Sequence, residues 1–461
     1  MKVLLINPPE GKVYGKFKSP DHPPLGLAYL GAVLLKSGHS VKIIDIDADG
    51  ISLSNLKEII ANYSLIGLTA TTPTFGQASK IFEVVKENSR AITVLGGIHA
   101  TIYPEECIKN ENIDFLVRGE GEETFLELLD SLEKKKEISS IKGISFKKNK
   151  KIIHNPNRDL IKNLDDLPFP ARELFKHSNY SYPDSFLSPV MPIMTSRGCP
   201  HACTYCCTKY IFSRKVRFRS SKNVMEEIEH LIKKYKVKEI HIWDDNFTLN
   251  KQRVKQIHDE ILSKAIKIKF AFPNGLRADQ VDEDILRWLK EMGTYSVCFG
   301  VESGNQIILD NVEKGTNLAQ IEKAYELSKK IGLETWGFFM FGLPGETSET
   351  IKNTINFAKK IDPDVAKFHI LKPFPGTKIF DQLKKQNLIT NYNFDDYGIH
   401  TKPVHRLPNI SEEDLINASK KAYREFYLRP LKIFKHALRI KSFNRFKVNV
   451  RTAFDLLKTI K

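Results

Sequence analysis

Three cysteines, Cys199, Cys203 and Cys206, are spaced four and three residues apart, and Cys207 adjoins the last. Four of the six cysteines in the chain thus fall within nine residues. Thiolates crowded on one loop repel each other unless a metal or cluster neutralises them. Three sulfurs can reach three corners of a 4Fe–4S cube, and no fourth cysteine completes the loop at a ferredoxin spacing. The fourth iron would then be open to a substrate or cofactor. Cys207 sits beside Cys206, so its side chain is expected to point elsewhere. The alternatives are a disulfide pair, or a zinc site with His201 or Cys207 as fourth ligand.

The loop needs a scaffold. Stretches at 191–195, 239–243, 269–272, 295–299, 334–340 and 366–371 read as strands, with helices at 223–235, 251–264, 282–292, 318–331 and 349–360. With a helix at 379–386 after the last strand, these make six strand–helix units, short of the eight of a closed barrel. The cysteines follow the first strand. Asp244, Arg277 and Glu302 follow the second, third and fourth, at the ends where barrel active sites lie.

Residues 1–140 alternate in the same way, with strands at 3–6, 41–45, 65–69, 92–97 and 113–117 and helices at 23–36, 53–62, 75–88 and 124–134. That pattern predicts an α/β, doubly wound parallel sheet, whose ligands sit beyond the carboxyl ends of the strands. Small and polar residues gather there: Asn7, Thr69, Gly96, Gly97, His99, Glu120 and Gly121. Residues 141–190 read as a β-hairpin and a Pro- and Asp-rich linker, 191–375 as the partial barrel, and 376–461 as a helical region. Cys298 lies within a strand and reads as core, and Cys107 carries no signal.

A chain of 461 residues implies two or three domains. The longest apolar run, 25–35, is too short and broken to span a bilayer. The first residues read as a strand rather than a signal peptide, and few, clustered cysteines fit a reducing cytoplasm. The net charge of +16 is uneven, because residues 429–461 hold ten Lys or Arg against one acid, Asp455. Leu431, Phe434, Leu438, Phe443 and Phe446 are interleaved with those cations. The tail reads as basic amphipathic helix that fits an anionic membrane surface, or as a helix laid on the barrel with its lysines in solvent. General basicity does not make the chain a nucleic-acid binder, and none is expected as a partner.

The pattern CxxxCxxC, with Tyr205 before the third cysteine, resembles the signature of the radical SAM superfamily. The GVESG (300–304) and GLPGET (342–347) stretches resemble that family's motifs, and six units match its partial barrel. The resemblance implies a 4Fe–4S cluster on Cys199, Cys203 and Cys206. Its open iron would hold S-adenosylmethionine and cleave it reductively to a 5′-deoxyadenosyl radical. Arg277 would meet the carboxylate of S-adenosylmethionine, Glu302 and Asp244 its ammonium or ribose, and the backbone around Tyr205 its adenine. Surface ion pairing would equally explain Arg277 and Glu302, and a turn or cap would explain Asp244.

The GGxHAT (96–101) and RGEGE (118–122) turns make residues 1–140 similar to the Rossmann-like cobalamin-binding domain preceding the barrel in one group of that superfamily. The DxHxxG motif is absent, since Asp21 and His22 are adjacent; in this group it is commonly missing. His99 either faces the cobalamin or hydrogen-bonds within its turn, and a scaffold without cofactor is a further reading. An "FYLRP" element (426–430) before a basic tail also occurs in this group. The resemblance implies cobalamin-dependent methyl transfer to an unactivated carbon of a hydrophobic or membrane-associated substrate. Radical cyclisation or rearrangement is the alternative, and a non-catalytic iron–sulfur protein is the reading from a different class. An external electron donor of flavodoxin or ferredoxin type is implied, and a cytoplasmic protein, or one peripheral at the membrane.

Overall fold

The structure, a computed structural model, describes residues 1–11, 13, 22–182 and 185–438. Asp21 and the tail from 439 to 461 lie outside the described residues.

The first domain is built on β1 (Lys2–Asn7), β2 (Ser40–Asp45), β3 (Leu65–Thr69), β4 (Ile92–Gly96) and β5 (Phe115–Val117), all parallel. Along β1 the side chains alternate between two cores. Leu4 and Ile6 pack with Ile66, Leu68 and Phe82, whereas Val3 and Leu5 pack with Leu65, Val94 and Phe125. Helices α1 (Leu25–Lys36) and α6 (Gly121–Glu133) cover the second face. Helices α2 (Leu53–Ile60), α3 (Phe75–Asn88) and α5 (Pro104–Lys109) cover the first, and the short α4 (Ile98–Ile102) follows β4. The sheet is doubly wound, as the pattern predicted. Its order, β2-β1-β3-β4-β5, reverses direction between β1 and β3, the switch point where ligands enter such sheets.

One boundary differs from the sequence reading. The hairpin β6 (Ile144–Lys148) and β7 (Lys151–His154) pairs antiparallel onto β5 and completes a seven-stranded sheet. Phe146 and Ile144 enter its core, so the hairpin belongs to the first domain and the linker begins after it.

The barrel strands are β8 (Val190–Ile193), β11 (Glu239–Ile242), β12 (Lys269–Ala271), β13 (Ser296–Glu302), β14 (Glu334–Phe341) and β15 (Val365–Ile370). They form two three-stranded parallel arcs, joined by bridges Phe270–Thr294 and Leu276–Phe299. Between β8 and β11 lie a two-residue pair of strands, β9 (Ser196–Arg197) and β10 (Arg217–Phe218), with α7 (Thr208–Phe212) between them. The outer helices are α8 (Ser221–Tyr235), α9 (Lys251–Ser263), α10 (Glu283–Glu291), α11 (Gln306–Asn311), α12 (Leu318–Ile331) and α13 (Ser348–Ile361). Side-chain caps set their starts, and Thr347, the last residue of GLPGET, forms a capping box with Thr350 on α13.

The two ends of this open ring are closed off differently. Strand β8 carries Pro192, which has no amide hydrogen, and its carbonyl accepts from Arg172 Nη2 at 2.7 Å. Strand β15 is covered by α15 (Glu412–Tyr427), which follows α14 (Lys378–Lys385). The Tyr427 hydroxyl accepts from Ala366 N and donates to Ala366 O, each at 2.9 Å, and the Tyr423 hydroxyl accepts from Phe368 N at 3.1 Å. Side-chain hydroxyls thus meet backbone groups that another strand would otherwise take. The last described helix, α16 (Pro430–Leu438), is anchored through Arg429 and Lys432 on Asp362.

Candidate active site

The cysteine loop leaves β8 through a fixed gateway. Thr195 and Ser196 both bond the Asp244 carboxylate, through Thr195 N (2.6 Å), the Thr195 hydroxyl and Ser196 Oγ (2.6 Å). Asp244 is therefore buried beneath the loop, tying the end of β8 to the end of β11. Its neighbour Asp245, which the sequence reading passed over, reaches the loop itself. It accepts from Gly198 N (3.1 Å) and Thr208 Oγ1 (3.2 Å), and burial pushes its carboxyl up to about 6. Gly198 has φ +96°, and a Cβ there would lie 2.6 Å from Lys215 O, so glycine is required where the chain turns into Cys199.

Burial, followed by the neighbouring thiolates and Asp245, holds the Cys199 and Cys206 thiols above their ordinary range. The sulfurs therefore feel one another, yet they do not converge on a point. Among the described residues, only His39, Asp130 and Glu133 bring three ligand atoms within 4.8 Å of one another. Zinc at about 2.3 Å from each sulfur would draw them to about 3.8 Å. A cube carrying one thiolate per iron spaces them more widely, so the loop fits the cluster better than zinc.

Beside Cys203 lies a cradle of charge. Arg277 Nη1 is 4.0 Å from Cys203 Sγ, while its Nε and Nη2 each donate to Asp279 at 2.9 Å. Nη2 also donates to Lys314 O and Thr316 Oγ1, both at 2.8 Å. Glu302 follows a register shift in β13 and holds φ +64°, a conformation few non-glycine residues adopt. It accepts from Lys314 Nζ at 2.8 Å, and that ammonium also reaches the Tyr205 hydroxyl at 3.3 Å. Three expected residues, Tyr205, Arg277 and Glu302, are thus gathered around one cysteine. Lys314 and Asp279 join them unanticipated. Lys314 lies in the turn after α11, where nothing in the sequence marks it. In GLPGET, Glu346 accepts from Gly342 N (2.6 Å) and Leu343 N (3.1 Å), and burial pushes it up to about 8. That motif shapes a turn, as expected of its glycines.

The first domain meets this loop through a buried clasp. Arg197 donates to Glu120 (2.7 Å) and Glu122 (2.6 Å), and Arg217 donates to Glu120 (2.6 Å). Burial alone would lower the Arg197 guanidinium; Glu122 and Glu120 reverse this and raise it. Glu120 also accepts from Ile161 N at 2.9 Å. Its carboxylate is thus held by Arg197 and Arg217 of the barrel and by the linker. At Gly121, which opens α6, a Cβ would lie 3.2 Å from the Leu30 side chain.

Thr69, Gly96 and Gly97 stand at the ends of β3 and β4. At Gly97, with φ +92°, a Cβ would lie 2.7 Å from both Ala70 O and Thr69 Oγ1. The close approach it permits is that of its own chain. His99 is fully buried, with Nδ1 3.2 Å from Thr72 Oγ1 and its ring against Phe75 and Phe394. That contact joins the loops after β3 and β4 and does not lie within the histidine's own turn. Burial pushes His99 down to about 4, so the imidazole is neutral, and its Nε2 has no partner among the described residues. Mostly small strand ends, with one carboxylate, Asp45, hydrogen-bonded to Asn7 at 3.1 Å, and an orphaned imidazole nitrogen fit a large ligand such as a corrin.

The inner wall of the barrel is aromatic and basic. The Phe338 ring, carried on β14, lies 3.6 Å from the position of a Cβ on Gly275, in the turn after β12. Trp336 and Met340 share that face. Lys367 Nζ stands 4.8 Å from the Trp336 ring and 6.0 Å from Phe338, and His369 faces His400 at 6.1 Å. After β11, Trp243 meets His22 of the first domain edge-on at 4.2 Å.

Comparison with known proteins decides the family. Residues 193–358 match the Radical SAM superfamily and residues 12–129 the B12 binding domain. The chain is 37% identical over 439 residues, 94% of each chain, to an uncharacterized methyltransferase of Pyrococcus horikoshii. It belongs to the cobalamin-binding radical SAM enzymes. This radical SAM enzyme is also 28% identical over 438 residues to the anaerobic magnesium-protoporphyrin IX monomethyl ester cyclase of Rubrivivax gelatinosus, covering 93% of its own length and 78% of the cyclase. Its fold matches that of the cobalamin-dependent S-adenosylmethionine radical enzyme OxsB with a TM-score of 0.78 at 17% identity, over all of this chain and 71% of OxsB. A 4Fe–4S cluster, S-adenosylmethionine and cobalamin are its cofactors, and it is of the methyltransferase-like kind.

Proposed function

We propose that the enzyme transfers a methyl group to an unactivated carbon of a hydrophobic substrate held in the barrel. When bound, the cluster with S-adenosylmethionine supplies the 5′-deoxyadenosyl radical, and cobalamin supplies the methyl group. The observation that carries the reading is the clasp of Arg197 with Glu120 and Glu122. It fixes the residue two before Cys199 to the start of α6, the helix after β5, so the radical and methyl sources are held in register. Arg277 and the Glu302–Lys314 pair are the groups available to orient the charged ends of S-adenosylmethionine. Trp336, Phe338 and Met340 offer an apolar lining that favours a hydrophobic substrate and limits quenching by water.

Anaerobic reconstitution followed by iron, sulfide and corrinoid analysis, with product assay, tests this. S-adenosylhomocysteine together with 5′-deoxyadenosine supports methyl transfer. Deoxyadenosine without S-adenosylhomocysteine supports cyclisation or rearrangement, which the likeness to the cyclase favours as second reading. Protein that takes up no corrinoid overturns both.

A membrane-associated substrate finds support in α16, where Leu431, Ile433 and Phe434 are exposed and the following tail is strongly basic. No described helix is long and apolar enough to cross a membrane. Removal of 439–461 is expected to abolish sedimentation with anionic vesicles, and unchanged sedimentation would defeat the membrane contact.

A further inference from the structure

From residue 185 to 225 the chain contains no Asp or Glu, but seven cations: Arg197, Lys209, Arg214, Lys215, Arg217, Arg219 and Lys222. This stretch brackets the cluster cysteines. Three of the cations are neutralised inside the protein, Arg197 and Arg217 by Glu120 and Glu122, and Arg219 by Glu227. Lys209, Arg214 and Lys215 have no acidic partner among the described residues. Arg214 and Lys215 are exposed. Acids around the loop are already engaged: Asp245 is turned inward onto Gly198 and Thr208, Asp279 and Glu302 are paired with Arg277 and Lys314, and Glu313 is paired with Lys378.

The turn that presents these charges rests directly on the cluster loop. Lys215 O and Phe212 O would lie 2.6 and 3.2 Å from a Cβ on Gly198, the residue before Cys199. Its first residue, Ser213, ends α7 at φ 55° and ψ −173°, a region that is almost confined to glycine and costs about 1–3 kcal/mol elsewhere. The Ser213 hydroxyl accepts from Lys215 N at 3.0 Å and pins the turn. A strained serine thus holds two unpaired cations outward, one turn of chain from a redox site.

We infer that the Lys209–Lys215 surface docks a small acidic protein that carries one electron. The inference rests on the radical reading, in which each cleavage of S-adenosylmethionine consumes one electron that must arrive from outside the chain. The carrier is oxidised by one electron and the cluster is reduced by one. No bond is made and no proton crosses the interface. Uncompensated cations beside the entry point steer an acidic carrier there and raise its rate of encounter.

The test uses the reconstituted full chain, with reduced flavodoxin as the acidic probe. In R214E/K215E, flavodoxin is expected to bind about tenfold or more weakly at low salt, and the salt dependence of binding to flatten. Flavodoxin-driven formation of 5′-deoxyadenosine should fall in parallel, while formation driven by dithionite stays at the wild-type rate and reports an intact fold. The same charge change on outer helices α12 and α13, K323E/K352E, should leave flavodoxin affinity unaltered. Equal losses in both variants, or an unchanged affinity in R214E/K215E, overturn the docking surface. A wild-type protein that forms no 5′-deoxyadenosine even with dithionite overturns the radical reading instead, whatever its affinity for flavodoxin.

Discussion

Two sets of strand ends face the interdomain space, and they are built from opposite chemistry. Those of the barrel carry full charges already matched in pairs, Arg277 with Asp279 and Glu302 with Lys314. Those of the first sheet carry Asn7, Thr69, Gly96 and Gly97, a single carboxylate, Asp45, hydrogen-bonded to Asn7, and the buried, neutral His99 after β4. In the proposed reading, these preformed pairs are the partners offered to the charged ends of S-adenosylmethionine. A large corrin is recognised by fit, and charge there would have to be stripped of water without return. The clasp of Arg197 with Glu120 and Glu122 keeps its charges for a third purpose, holding the two kinds of site together.

The comparison breaks most completely at the cysteines. Cys199→Ala should abolish iron and sulfide incorporation and all formation of 5′-deoxyadenosine, whereas Cys207→Ala should keep both. Iron analysis and product assay decide it, and a Cys207→Ala protein without cluster would return the fourth ligand to that residue.

Next in size is the clasp. Arg197→Met leaves Glu122 buried without its partner and should lower stability by about 3 kcal/mol, read from urea unfolding. Glu120→Gln leaves Arg197 its bond to Glu122 and keeps one amide oxygen as an acceptor, so it should perturb less than the arginine change.

The neutral end is tested by pH. His99 titrates near 4 in the folded protein and near its ordinary 6.5 when unfolded, so the unfolded chain binds the proton first. Its stabilising contribution is complete above pH 6.5 and fades as pH falls towards 4. His99→Gln should remove about 2 kcal/mol of the stability difference between pH 7 and pH 5. An equally steep loss in the variant would show that other buried histidines dominate.

The smallest effect is expected at the charged end. Arg277→Lys keeps the charge but loses the paired donors, and should weaken S-adenosylmethionine binding about tenfold, measured by calorimetry on the reconstituted protein.

The alternation of strands and helices was legible because burial on both faces writes long apolar runs, as in Leu4 to Ile6 and Val297 to Phe299. The cysteine spacing was legible because few other arrangements need it. Contacts between distant segments were not. Asp244 and Asp245 are chemically identical neighbours, and only the path of the loop beneath Thr195 decides which one reaches Gly198. Glu120 sits in a glycine-rich turn that resembles a ligand loop, yet its partner lies 77 residues away. Lys314 has no local pattern at all, since its role depends on where the turn after α11 returns. The hairpin at 144–154 read as a connector because nothing in a short two-strand segment says which edge it will join.

The barrel also has a property set by how it ends. A closed ring of strands has its circumference fixed by an unbroken ladder of hydrogen bonds. Here the terminal strand satisfies its edge with the hydroxyls of Tyr423 and Tyr427, and the first presents a proline and an arginine-bound carbonyl. Among the described residues no ladder spans the gap from β8 to β15. The girth of the ring is therefore set at that seam by side chains and not by a backbone ladder.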